Sequence, residues 1–253
     1  MRALLEHGAS CTLRDGQSRA AIDVAAEGFG QQRVDLAARK AVRRIFYRIE
    51  PRARTLVLHH RDCLDHKPRQ ETDWECPERI AAVLRGIERA PPALLDPHEL
   101  EISTDIEKAP VEHLARVHSQ EYIRFVHDLA KRMEGNGAMA PIPFTPQVQR
   151  SLPPANGGGA IKPPERSDTA FSAGSLNAAR RAAGAVKLAV DSVLLGRNRN
   201  AFCVVRPPGH HAGPRGLLDN AASSGFCIFN NIAAGAMHAL EVRNDVAHKD
   251  GLA

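Results

Sequence analysis

Val205-Arg206-Pro207-Pro208-Gly209-His210-His211-Ala212-Gly213, followed further on by Ser224-Gly225-Phe226-Cys227-Ile228-Phe229-Asn230-Asn231, is the part of the chain whose reading decides the rest. A short apolar segment of β type, Ala201 to Val205, precedes it. Two prolines and a glycine then prevent either a strand or a helix from continuing, so the chain must turn. The turn presents two adjacent imidazoles. Neighbours on a strand point to opposite faces, whereas on a loop both rings can converge on one point. Histidine changes charge near neutral pH with its ordinary pKa, so a stiff loop that offers two of them suits proton transfer. A bare His-His pair is equally compatible with a plain surface loop. The second stretch separates the two readings.

Outward from this turn, strands alternate with helices. Thr55-Leu56-Val57-Leu58 is a short β-type run, read as the first strand of a parallel sheet. His59-His60-Arg61-Asp62-Cys63-Leu64-Asp65-His66 is dense in metal-binding side chains, but its spacing matches no structural zinc motif, and it reads as a loop. Pro77 suits the first turn of a helix whose Ile80, Val83, Leu84 and Ile87 form one core-facing stripe. Pro110 to Val117 and Ser119 to Arg132 predict two more helices, the second capped by Ser119. From Glu134 to about Ser167 the pattern dissolves into glycine and proline and reads as a disordered insertion. Ser172 to Leu195 predicts a long helix, alanine-rich on the face against a sheet, and Asn230 or Asn231 opens a last helix through Leu240. Such alternation argues an α/β layer with a parallel sheet. Ligands of such sheets gather beyond the strands' carboxyl ends, which is where His210 and His211 fall.

Composition sets outer limits. With 253 residues, 43% hydrophobic and 25% charged, the chain can build a large core and one α/β domain with a small appendage. A net charge of +5 is mildly basic, the clusters at 39–44 and 48–54 read as solvated faces, and no direct nucleic-acid binding is expected. Five cysteines with no Cys-x-x-Cys pair do not form a disulfide framework and point to a reducing compartment. No apolar run reaches membrane-spanning length, and the start is no secretory signal, so cytosol or nucleus is the expected location. Residues 1–40 read as the end of one ankyrin repeat and most of the next: Leu4 and Leu5 end a helix stopped by Gly8, Asp15-Gly16 turns, and Ala20 to Ala26 restarts a helix, with Ala20-Ala21-Ile22 where Thr-Pro-Leu is usual. A generic helical hairpin is the alternative. Residues 41–54 read as a basic linker, and 55–253 as the main domain.

Arg-Pro-Pro-Gly-His-His-Ala with Gly-Phe-Cys-x-x-Asn-Asn resembles the zinc-dependent histone deacetylase family, class II type. Pro77-Glu78-Arg79-Ile80 is similar to its Pro-x-Arg segment, Val117-His118-Ser119-Gln120-Glu121-Tyr122-Ile123 to its His-Ser-x-x-Tyr-Ile helix start, and Asp168-Thr169 with the helix from Ser172 to its Asp-Thr segment. The resemblance covers Thr55 to Leu240 in the family's order. It implies a three-layer arginase/deacetylase-like fold with a parallel sheet. It further implies His210 as base, His211 as acid or electrostatic stabiliser, Gly225 and Phe226 as lining of the channel for the acetyl-lysine stem, and Arg79 as a channel arginine. The implied cofactor is zinc, the implied substrate an acetylated protein such as a histone tail, and the ankyrin-like segment implies protein partners.

The family's zinc ligands, the aspartates that orient its histidines and its oxyanion tyrosine all follow the Asn-Asn helix, and the resemblance places them beyond Ala253. Asp245, His248 and Asp250 lie in what reads as an unanchored tail, so no metal ligand is assigned here. The expectation is therefore an incomplete catalytic domain, inactive by itself and open along a sheet edge. The alternatives are a deacetylase-like scaffold without catalysis, and a deacetylase of small acetylated amines such as polyamines.

Overall fold

A computed structural model describes residues 13–17, 19, 21, 36–70, 74–91, 94–135, 140–144, 167–216 and 224–249. Helix α1 (Leu36–Ile49) leads into strand β1 (Thr55–His59). Helix α2 (Glu78–Arg89), strand β2 (Leu100–Ser103), the short helix α3 (Val111–Ala115) and helix α4 (Gln120–Gly135) follow. A small antiparallel pair, β3 (Ile142–Pro143) with β4 (Ala170–Phe171), precedes helix α5 (Ser175–Leu194), strand β5 (Asn200–Val204) and helix α6 (Asn231–Lys249).

The sheet is parallel, in the order β2-β1-β5, with Val57 opposite Ile102 on one side and Phe202 on the other. Alternation along β1 builds the layers. Leu56 and Leu58 pack with Ile106, Ala185 and Leu188 on the α5 side, while Val57 packs with Cys63, Ile80, Leu84 and Ile87 on the α2 side. Side chains one residue apart on a strand face opposite ways, so two helical layers enclose the central strand. Ala178, Ala179, Ala182, Ala183 and Ala185 are all buried, and at Gly184 a Cβ would overlap the Glu107 carbonyl. Small side chains bring α5 this close, and alanine favours the helix at the same time. The largest cluster lies between α4, α5 and the β3–β4 pair, where Tyr122, Val126, Leu129, Met133, Phe144 and Phe171 meet Ile228 and Phe229.

Several expectations are corrected. The stretch read as a basic linker is in large part α1, with Phe46 and Tyr47 buried against Ala53. Its arginines are not simply solvated: Arg44 pairs with Asp96, Arg43 with Glu99 and with the Tyr47 hydroxyl, and Arg54 donates to the Tyr47 carbonyl. Val83 is 40% exposed, because α2 turns only Ile80, Leu84 and Ile87 inward. Helix α6 runs past Leu240 to Lys249, through much of the stretch read as a tail. Ser119 caps α4 as expected, its Oγ accepting the Tyr122 N–H at 3.2 Å, and Asn230 caps α6 by accepting the Ala233 N–H at 2.9 Å. The ankyrin-like segment and the glycine-rich insertion lie mostly outside the described residues. Where the insertion is described it is not disordered as expected, since β3 pairs with β4, Phe144 is buried and Ser167 Oγ donates to its carbonyl. In the first segment Asp15 braces a turn by accepting the N–H groups of Gln17 and Arg19.

Candidate functional site

The His-His turn starts where β5 ends. Arg206-Pro207 is a cis peptide, and the turn brings the rings of His210 and His211 to 4.2 Å between centroids, tilted by 51°. Both histidines are exposed, while Pro207, Gly209, Ala212 and Gly213 around them are buried. The convergence read from the sequence is therefore present: two imidazoles stand side by side on a buried support.

That support comes from the second stretch. A Cβ on Gly209 would overlap Asn231 Oδ1 and the Phe229 carbonyl, so the turn lies directly on the start of α6. Asn230 donates from Nδ2 to the Ala212 carbonyl at 2.9 Å. Cys227 receives the His211 N–H at its sulfur, at 3.5 Å, and its thiol is pushed up to about 11 by burial. The reactive thiolate is thus disfavoured, and Cys227 acts here as a small packing group.

Gly225 and Phe226 both adopt left-handed backbone, with φ of 54° and 66°. For glycine this carries no steric cost. For Phe226 it costs roughly 1–2 kcal/mol, and strain of this kind gathers at functional sites. Thr169 holds the strained residue: its Oγ1 accepts the Phe226 N–H at 2.9 Å and donates to Asp168 Oδ1 at 2.8 Å. Gly225 is pressed to the ring of His211, where any Cβ would lie 2.6 Å from Cδ2. Gly225, Phe226 and His211 therefore form one surface. Arg79 is exposed in the first turn of α2, and no hydrogen bond between it and the two histidines is present among the described residues.

Several further residues of the quoted motifs have roles that the sequence alone does not reveal. His118 and Tyr122, at the start of α4, brace the second stretch: His118 Nε2 accepts the Asn230 N–H at 2.8 Å, and the Tyr122 hydroxyl donates to the Ile228 carbonyl at 2.6 Å. An imidazole that accepts at Nε2 is neutral with its proton on Nδ1, and burial accordingly lowers the pKa of His118. Arg206, inside the quoted motif, is buried and ion-paired with Glu75.

An open cleft of about 580 Å³ lies past the carboxyl end of β1, lined by His59, His60, Arg61, Leu64, Ile80 and Leu84 among others. One of its imidazoles is tied to the chain beneath it. His60 Nδ1 accepts the Asp62 N–H at 3.1 Å, and Asp62 Oδ2 accepts from Arg181 Nε at 2.9 Å and Nη2 at 2.7 Å. Among the described residues no three His, Cys, Asp or Glu side chains converge as a metal-binding group.

A family model described as the histone deacetylase domain matches residues 73–249. The Type-2 histone deacetylase 1 of Dictyostelium discoideum is 33% identical over 208 residues, which cover 74% of this chain and 14% of that protein. The polyamine deacetylase HDAC10 of Mus musculus is 33% identical over 191 residues, covering 72% of this chain and 24% of that protein. Among solved structures, the HDA15 HD domain superposes with a TM-score of 0.56 at 25% identity, covering 76% of this chain and 44% of that one. The parallel sheet between helical layers is accordingly of the arginase/deacetylase-like α/β type. The chain spans 14% and 24% of the lengths of the two relatives.

Proposed function

We infer the activity from one premise: the chain belongs to the histone deacetylase family. The function that the site supports best is hydrolysis of the acetyl-lysine amide, with this chain supplying part of a zinc-dependent catalytic domain. The observation that carries this reading is the paired presentation of His210 and His211, rings 4.2 Å apart, beside the strained Gly225-Phe226 corner. Amide hydrolysis needs a base to take a proton from water and an acid to give one to the leaving amine. Two adjacent imidazoles on one rigid turn can divide those tasks. We assign His210 the base role and His211 the acid or electrostatic role.

Phe226 offers a flat apolar face to a methylene stem, and the Gly225 carbonyl can accept from the substrate amide N–H. Arg79 is the proposed guanidinium of the channel. The zinc ion that the family uses does not fit the described donor set, because no three ligating side chains converge there. We therefore expect that residues 1–253 by themselves neither bind zinc tightly nor deacetylate.

Acetylated protein such as a histone tail is the proposed substrate, in nucleus or cytoplasm, with protein partners recruited through the ankyrin-like segment. A second reading is favoured by one observation, the 33% identity to a protein named a polyamine deacetylase. A panel of acetyl-lysine peptides and acetylpolyamines, offered to a complete deacetylase domain that contains residues 1–253, tests both. Turnover of peptides supports the first reading, preference for acetylpolyamines the second, and failure on both substrate classes refutes the catalytic assignment in favour of a scaffold.

A further inference from the structure

Three ionisable side chains that the proposed chemistry leaves unused sit together beneath the site. Arg206, Glu75 and His66 are 2%, 4% and 2% exposed. Arg206 Nε and Nη2 hold the two carboxylate oxygens of Glu75 at 2.8 and 2.7 Å. Its Nη1 donates to the carbonyls of Cys63 and His66 at 2.8 and 2.5 Å, and Nη2 reaches the Glu75 carbonyl at 3.3 Å. Each of the guanidinium's five N–H donors thus meets an acceptor, which is the full complement.

The other end of the network lies on α5. His66 Nε2 stands 3.4 Å from Glu75 Oε2, and its Nδ1 shares a hydrogen bond of 2.7 Å with Ser175 Oγ. Ser172 Oγ donates to the Asp65 carbonyl at 3.1 Å and accepts the Lys67 N–H at 3.0 Å. Burial alone would push the Glu75 pKa up, but the facing imidazole and guanidinium hold it at about 2, well below the usual carboxylate range. A buried charge pair is rigid only when every member is satisfied, and here every member is.

Arg206 is also the residue at which the chain leaves β5 for the His-His turn, with His210 four positions on; Arg79 lies four positions beyond Glu75. We propose that Arg206 and Glu75 are a positioning pair that locks the segment from Cys63 to His66 and the first turn of α2 to the His210–His211 turn, so that both walls of the candidate site move as one body. The functional meaning of that lock rests on the assignment of His210, His211 and Arg79 made above; the mechanical coupling does not. Lysine cannot replace Arg206, because one ammonium cannot grip both carboxylate oxygens and three carbonyls in a plane.

The test uses Glu75→Gln and Arg206→Lys in the 253-residue chain, with amide hydrogen exchange and the imidazole NMR signals of His210 and His211 as readouts. The expected result is exchange at least tenfold faster in residues 63–67 and 209–212 together. The two imidazole signals shift, while exchange in the α4 core stays unchanged. Faster exchange confined to 63–67, with the turn and its imidazoles unmoved, overturns the pair as a positioning device, and so does no change in either segment. If Glu75→Gln unfolds, Glu75→Asp keeps the charge, and a smaller acceleration is expected, again in both segments; acceleration in one alone overturns the proposal. Loss of the catalytic assignment would read differently: a His210→Ala deacetylase domain that keeps full turnover refutes the roles of the histidines and leaves the exchange coupling intact.

Discussion

Replacing Gly225 by alanine adds one methyl group at the point where the two quoted stretches touch. The new Cβ would lie 2.6 Å from Cδ2 of His211, 3.0 Å from Cγ and 3.3 Å from Cβ. Carbon atoms rest at about 3.5–4.0 Å, so the ring must withdraw by roughly 1 Å. The backbone adds its own cost, because φ at this position is +54° and a Cβ there is disfavoured by roughly 1–2 kcal/mol. For a chain of this size that lowers the melting temperature by roughly 2–8 °C. The functional effect is larger than the thermal one, since a misplacement of about 1 Å at a reacting group can cost on the order of 100-fold in rate. Gly86 provides the control. It sits exposed within α2, and an added methyl would meet nothing within 4 Å, so Gly86→Ala should stabilise by roughly 0.5–1 kcal/mol. The assay pairs thermal unfolding and His211 NMR signals of the 253-residue chain with kcat/KM of a complete deacetylase domain. A Gly225→Ala protein with an unmoved His211 and undiminished kcat/KM would refute the reasoning.

Acid should loosen the junction of α3, α5 and α6. Burial and the nearby His238, Arg116 and Lys187 hold the His113 pKa down to about 4, so the folded state keeps this imidazole neutral while the unfolded chain protonates near 6.5. Its stabilising effect is complete above pH 6.5 and falls by about 3 kcal/mol as pH drops to 4, measurable as a falling denaturant midpoint that His113→Phe flattens. Glu75 acts in the same direction at lower pH, its contribution present above 4.5 and lost toward about 2. Glu75→Ala should cost about 3–5 kcal/mol in chemical denaturation, because it leaves Arg206 buried without its partner. Tyr122→Phe removes the 2.6 Å bond to the buried Ile228 carbonyl and should cost roughly 1–3 kcal/mol, with faster amide exchange through 226–230.

The turn is legible in the sequence because its signals are local. Pro207, Pro208 and Gly209 stop β5 whatever surrounds them, and the two histidines necessarily follow. The helices α4 and α6 are legible for a similar reason, through the capping side chains of Ser119 and Asn230. What stays hidden depends on partners distant in the chain. Arg206 reads as one letter of a motif because Glu75 lies 131 residues away, and no local rule connects them. The arginines of α1 look solvated because Asp96 and Glu99, which receive Arg44 and Arg43, arrive only when β2 is laid beside β1. The support under the histidines has the same character: His118 reaches Asn230 across 112 residues and Thr169 reaches Phe226 across 57. Val83 departs from expectation for the opposite reason. Its spacing fits the stripe, but only Ile80, Leu84 and Ile87 pack with the sheet, and Val83 stays 40% exposed.

The measurement that bears most directly on the central claim is turnover of an acetyl-lysine peptide by a complete, zinc-loaded deacetylase domain containing residues 1–253, compared with its His210→Ala variant. A loss on the order of 100- to 10,000-fold in kcat, with the melting temperature unchanged, is the result expected of a missing general base. Turnover of the variant within tenfold of the parent would contradict the assignment of the His-His turn as the catalytic centre.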